Sequence, residues 1–121
     1  MKVLIIDDEP LIRRSLSRAL IARGHEVLES GDGINGLEQW LKEKPNLAFV
    51  DVLMPGMTGP QVVQQLPPEV RAQTKIVLMS AYTGSGGAGL KLNEEVDLFL
   101  PKPFEDIFNI VKMAEELVNH V

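Results

Sequence analysis

Apolar residues come in two rhythms along the chain. Val3 to Ile6, Leu47 to Val50 and Ile76 to Met79 are short unbroken apolar runs, and Leu98-Phe99-Leu100 is a shorter one. Runs of this length are too short for helices and read as strands buried on both faces, as in a parallel sheet covered by helices. Between them the apolar positions space out. From Pro10, Ile12, Leu16, Ala19 and Leu20 recur at helical intervals, Arg13, Arg14, Ser17 and Arg18 lie off that stripe, and Gly24 is the expected C-terminal cap. Glu26 to Ser30 make a weak second strand and Gly31-Asp32-Gly33 a turn. Ile34, Leu37 and Leu41 mark the next helix, with Trp40 on or beside its apolar face and Pro45 as its stop. Thr58-Gly59-Pro60-Gln61 has the form of a capping box before Val62, Val63 and Leu66, and Pro67-Pro68 breaks or restarts that helix. A further helix is expected over residues 84–93, weakened by Gly84, Gly86, Gly87 and Gly89, each costing about 1 kcal/mol relative to alanine in a helix interior. The last helix starts near Phe104, with Phe104, Ile107, Phe108, Val111, Ala114 and Val118 along one face. Ile110, Met113 and Leu117 form a second apolar stripe, broader than burial on one side requires, which is either a partner or dimer surface or packing under the helix after the fourth strand. Strands alternating with helices from end to end predict an α/β fold: a doubly wound five-stranded parallel sheet with helices on both faces.

Composition narrows this to one globular unit. The 121 residues are 45% hydrophobic and 24% charged, which excludes disordered and fibrous classes and suits a single domain over residues 1–121. There is no cysteine, so a disulfide framework and a thiolate zinc site are both excluded, in keeping with a cytoplasmic setting. A net charge of -5 without a basic run argues against direct nucleic-acid binding. No stretch approaches the roughly 20 apolar residues that a membrane-spanning helix needs. His25 and His120, the only histidines, read as surface residues rather than ligands.

The candidate chemistry lies where strands stop. Asp7 and Asp8 follow the first strand, Asp51 ends the third before Met54-Pro55-Gly56, Ser80 ends the fourth, and Lys102 comes just after the fifth. In a parallel sheet these ends share one edge, the edge where open α/β sheets build their sites. Two carboxylates about 4 Å apart repel by about 4 kcal/mol at an effective dielectric near 20, so three cannot stay ionised together without a proton, a lysine or a metal. Oxygen-only donors at a loop edge favour Mg²⁺ completed by phosphate oxygens. With Lys102 as a second cation, the edge suits a phosphoryl group.

In this combination and order the residues resemble the response-regulator receiver domains of two-component signalling, and the chain is similar to the single-domain chemotaxis-type receivers. The resemblance covers essentially the whole chain: the acidic pair, Asp51 before Met-Pro-Gly, Ser80-Ala81, and Lys102-Pro103-Phe104. It implies a flavodoxin-like sheet of order 2-1-3-4-5. It further implies that Asp51 accepts a phosphoryl group from a histidine kinase or histidine phosphotransfer protein. Asp8 and Asp51 would bind Mg²⁺ directly, with the Leu53 backbone carbonyl as a further ligand and Asp7 acting through water. Lys102, Ser80 and the Ala81 backbone N–H would hold the phosphoryl oxygens. Phe99 would be the switch aromatic that moves with Ser80, and the Lys102-Pro103 peptide would be cis. Output, to a downstream protein or a homodimer, would leave through the helix after the fourth strand, the fifth strand and the last helix. Arg13, Arg14 and Arg18 are either a kinase-docking face, as the first helix is in the family, or a solvated one. Leu53 and Tyr82 would flank the path of the hydrolytic water, and their bulk implies slow self-dephosphorylation.

Two other classes compete. A magnesium phosphohydrolase with an aspartyl-phosphate intermediate, resembling the haloacid dehalogenases, needs an acid two residues after the nucleophile, where Leu53 stands. A flavin or nucleotide binder is suggested by Gly84-Ser85-Gly86-Gly87-Ala88-Gly89, which matches G-x-G-x-x-G but follows the fourth strand rather than the first. The family usually carries a Gly-Ala pair at the end of the helix preceding the fifth strand; Glu95-Val96 replaces it here.

Overall fold

The computed structural model describes residues 1–81, 96–102, 104 and 106–119. The helix expected over residues 84–93, the glycine run, Tyr82, Pro103 and His120 lie outside them.

Strand β1 (Lys2–Ile6) runs parallel to β2 (Glu26–Ser30) on one side and to β3 (Leu47–Asp51) on the other. β3 continues to β4 (Lys75–Ser80) and β4 to β5 (Leu98–Pro101), giving one parallel sheet of order 2-1-3-4-5. Helices α1 (Pro10–Ala22) and α5 (Ile107–Asn119) pack on one face, over Val3, Ile5, Phe49, Val77 and Met79. Helices α2 (Gly33–Glu43), α3 (Gly59–Gln65) and α4 (Pro68–Gln73) cover the other, over Leu4, Ile6, Ala48, Val50, Ile76 and Leu78. Successive side chains of a strand point to opposite faces, and here both faces are dry. That is why the central strands read as unbroken apolar runs rather than as alternation.

Several helix boundaries follow the local signals. Gly24 has φ +89 and donates its N–H to the Ile21 carbonyl at 2.9 Å, stopping α1 as a left-handed glycine does. Thr58 and Gln61 form the reciprocal capping box of α3, and the Pro67-Pro68 pair ends that helix and starts α4.

The helix faces depart from the apolar spacing. In α2, Ile34 and Leu41 are exposed, whereas Gly33, Gly36 and Trp40 face the core. Gly33 is helical rather than part of a turn, because the Asp32 side chain accepts the Asn35 N–H and caps the helix one residue earlier than expected. The helix also lies so close to β1 that a Cβ at Gly36 would stand 2.6 Å from Ile6 Cδ1. A glycine face carries no apolar signal. Ser17 of α1, expected off the stripe, is buried.

The last helix starts at Ile107, later than expected, where the Asp106 side chain accepts the N–H groups of Phe108 and Asn109. This turns Phe108 outward, to 61% exposure, and turns Ile110 into the core beside Val111 and Ala114. Met113 and Leu117 pack half-buried against the same core, so burial takes up much of that second stripe. His25 is not a free surface group either: its Nε2 is 2.6 Å from Glu115 Oε2, and Arg23 Nε donates to the same carboxylate at 2.8 Å.

Candidate functional site

Each strand delivers its last residue to the same edge. Asp7 directly follows β1, is wholly buried, and donates its N–H to the Ser30 carbonyl at 3.1 Å, which extends the β1–β2 pairing by one rung. Asp51 is the last residue of β3 and is 5% exposed. Its backbone is crowded by the start of α3, where a Cβ at Gly59 would collide with the Asp51 carbonyl oxygen. The glycine of the Thr58-Gly59 pair therefore serves the site as well as the helix. Ser80 ends β4, buried, and its carbonyl accepts the Lys102 N–H at 2.8 Å, which fixes Lys102 beside it.

Lys102 is the centre of the arrangement. Its Nζ donates to Asp7 Oδ2 at 2.8 Å and to Glu9 Oε1 at 2.7 Å, and lies 3.4 Å from Asp51 Oδ1. Asp7 Oδ1 in turn accepts the Glu9 N–H at 2.9 Å, and Arg13 Nη1 donates to the Asp7 carbonyl at 2.6 Å. Arg13 is thereby drawn towards the site instead of standing free on the α1 face. An open cavity of about 280 Å³ is lined by Asp8, Glu9, Asp51, Leu53, Ser80, Ala81 and Lys102.

The electrostatics follow from burial and crowding. Desolvation, then the charge of Asp7, push the Asp51 carboxyl up to about 7, against the opposing pull of Lys102. Burial likewise raises Asp7, although the bonds from Lys102 and the Glu9 N–H oppose it. For Lys102 burial pulls downward, but the bonds to Asp7 and Glu9 and the charges of Asp7 and Asp51 outweigh it, and the ammonium is held above its ordinary value. Oxygens of Asp7, Asp8, Glu9 and Asp51 all lie within 4.8 Å of one another. Such a hard-oxygen donor set, with partly open access, has the chemistry of a divalent-cation site that keeps some of its waters.

The structure therefore brings Asp7, Asp8, Asp51, Leu53, Ser80, Ala81 and Lys102 to one edge. Phe99 lies apart in β5, opposite Leu78, half-buried against the core on the α2 side. Trp40 is remote: its Nε1 donates to Oγ1 of Thr74, which precedes β4 at the sheet edge opposite Asp51. Sequence reasoning missed Glu9. The available signal was a third acidic residue directly before Pro10, a position that reads as the start of a helix.

Residues 3–115 match the response regulator receiver domain family, and the chain belongs to it. The response regulator MprA of Mycobacterium leprae is 32% identical over 104 residues, 86% of this chain and 45% of that protein. The chain spans about half the length of the curated relatives it matches. A CheY-like receiver domain from Methanospirillum hungatei superposes with a TM-score of 0.86 over 98% of this chain and 93% of its own, at 24% identity, and shows the shared fold. The response regulator TrrA of Thermotoga maritima, solved in complex with Mg(2+)-BeF, is 28% identical with a TM-score of 0.77, covering 97% of each chain. The family is one of receivers in two-component signalling, not a classical enzyme family. Among the described residues no helix is long and apolar enough to cross a membrane.

Proposed function

We propose that residues 1–121 form a receiver switch in which Asp51 accepts a phosphoryl group from a phosphohistidine of a histidine kinase or phosphotransfer protein. The observation that carries this reading is the position of Asp51. It is a buried carboxylate with the Lys102 ammonium on one side, further carboxylates within 4.8 Å, and an open cavity in front. In the transfer the donor P–N bond breaks and a bond from an Asp51 carboxylate oxygen to phosphorus forms. Positioning and charge neutralisation suffice, and no further base is needed.

Asp8, Asp51 and the Leu53 carbonyl would hold Mg²⁺, with Asp7 reached through water; the metal neutralises charge on the phosphoryl oxygens. Lys102, Ser80 and the Ala81 N–H receive those oxygens on the opposite side. The phosphoryl group adds a charge of about -1.5 to -2 and three acceptor oxygens, so Lys102 and Ser80 gain partners that exist only in the modified state. That difference drives the switch through Ser80 and Phe99 towards the helix after β4, β5 and α5, where a downstream protein or a second copy would dock. Leu11, in the first turn of α1 two residues after Glu9, is 76% exposed and would offer the donor an apolar contact. The setting proposed is cytoplasmic.

Acetyl phosphate with and without Mg²⁺, read by intact mass, tests the reading. The wild type should gain one phosphoryl group only with the metal, and Asp51→Asn should gain none. Equal labelling of the two proteins would overturn it.

A further inference from the structure

Glu9 does the work of two residues. It occupies the N-cap position of α1 at φ -91 and ψ 111, yet its side chain makes no capping bond. Ser, Thr, Asp and Asn are the usual caps because their short side chains fold back onto the first turn. Pro10 keeps the residue before it out of the helical region, so Glu9 stays extended and projects forward. Its backbone N–H holds Asp7 Oδ1 at 2.9 Å while its carboxylate takes Lys102 Nζ at 2.7 Å.

An ammonium has three donors. In Lys102 two of them make short charge-assisted bonds, to Asp7 at 2.8 Å and to Glu9 at 2.7 Å, while the Asp51 oxygen waits at 3.4 Å. A phosphoryl group on Asp51 needs this same ammonium. The third donor is left to the Asp51 side, but the two short bonds hold the ammonium 3.4 Å from Asp51; as a phosphoryl group draws the ammonium towards itself one of them lengthens, and burial decides which. The Asp7 side chain is wholly enclosed and cannot leave, whereas that of Glu9 is 57% exposed and can swing into water.

We propose that Glu9 is a positioning residue: it tethers Lys102 towards the β1 loop in the resting state, and it competes with the phosphoryl group for the Lys102 ammonium. This rests on the reading of Asp51 as phosphoacceptor. The tether sets how strongly the edge receives a phosphoryl group without touching that group, because each approach of the phosphate must first draw the lysine off Glu9. Distance matters as well as charge. An aspartate at this position keeps the charge but, being one methylene shorter, falls short of Lys102.

The test compares wild type, Glu9→Gln and Glu9→Asp at saturating Mg²⁺. Beryllofluoride stands in for the phosphoryl group, its affinity followed by amide NMR titration, and the ¹⁵N signal of the Lys102 ammonium reports the tether directly. Both variants should bind beryllofluoride about three- to fivefold more tightly, the range of a half-exposed ion pair. Both should shift the Lys102 signal before beryllofluoride is added. The phosphorylation rate with acetyl phosphate, in which the acetyl-oxygen bond to phosphorus breaks, the Asp51 bond forms and acetate leaves, should rise in parallel. Wild-type behaviour in both variants would overturn the tether. So would a Glu9→Asp that matches wild type while Glu9→Gln alone binds more tightly, because charge and not reach would then be responsible. A wild type that neither gains a phosphoryl group nor binds beryllofluoride overturns the reading of Asp51 instead, and the Lys102 signal in the variants still decides the resting tether.

Discussion

Lys102 Nζ stands 3.4 Å from Asp51 Oδ1, beyond the 2.7–2.9 Å typical of a charge-assisted N–H···O bond. The ammonium is near enough to favour the ionised form of Asp51 and too committed elsewhere to neutralise it. Asp51 consequently keeps a raised affinity for protons, and the resting site is under electrostatic tension that a cation or a neutral substitution relieves.

Stability should carry that tension as a pH dependence. The Asp51 carboxyl goes from an ordinary 3.8 to about 7 on folding, so the folded state binds more protons across that window. Stability from this group therefore falls as pH rises from about 4 to about 7, and levels off above. At about 1.4 kcal/mol per pH unit the ceiling is about 4 kcal/mol, and water in the open cavity reduces the expectation to about 2. Urea unfolding of wild type and Asp51→Asn without divalent cations should show the mutant gaining on wild type by that amount between pH 4 and 8. Added Mg²⁺ should close the gap. A constant difference between the two proteins across pH would contradict the charge crowding.

Gly36→Ala sets helix propensity against packing. Alanine favours a helix interior by about 1 kcal/mol over glycine. Its Cβ, however, would lie 2.6 Å from Ile6 Cδ1 and 2.8 Å from two further Ile6 atoms, and Ile6 is fully buried with nowhere to retreat. Overpacking of this kind costs about 1–3 kcal/mol, so a net loss is expected in thermal and urea unfolding.

Thr74 joins Trp40 to the loop before β3. Its hydroxyl accepts from Trp40 Nε1 at 3.1 Å and donates to the Pro45 carbonyl at 2.7 Å, all in the interior. Thr74→Val leaves both partners unsatisfied and should cost about 1–3 kcal/mol, whereas Thr74→Ser should keep most of the stability. Because this cluster lies at the edge opposite Asp51, Trp40 emission should hardly change when beryllofluoride and Mg²⁺ are added.

Leu53 lines the cavity and is 64% exposed, an apolar cover beside Asp51. Leu53→Asn should speed loss of the phosphoryl group several-fold by giving the attacking water a polar partner. Intact mass followed over time after removal of the donor measures it, and an unchanged lifetime would count against a shielding role for the leucine.

Much of the edge was legible in the chain because strand ends in a parallel sheet have only one place to go. Buried runs ending in Asp7, Asp51 and Ser80 required no knowledge of tertiary contacts. Helix faces were harder. Gly33 and Gly36 contribute to the core through the absence of a side chain, so apolar spacing placed the buried face of α2 on Ile34 and Leu41 instead. For α5 the Asp106 cap decided where the helix begins and thereby turned Phe108 out and Ile110 in.

What the chain determined by itself was the set of short-range terms: strand runs, the Thr58 capping box, the left-handed stop at Gly24, and the residue types that meet at one edge. What only the tertiary structure decided was how that edge shares the buried Lys102. Glu9 and Lys102 are far apart in sequence, and nothing local distinguishes an acid that starts a helix from one that reaches across to an ammonium. Ion pairing depends on distances set by the packing of β1 against β3 and of β4 against β5, and those distances exist only once the sheet has closed.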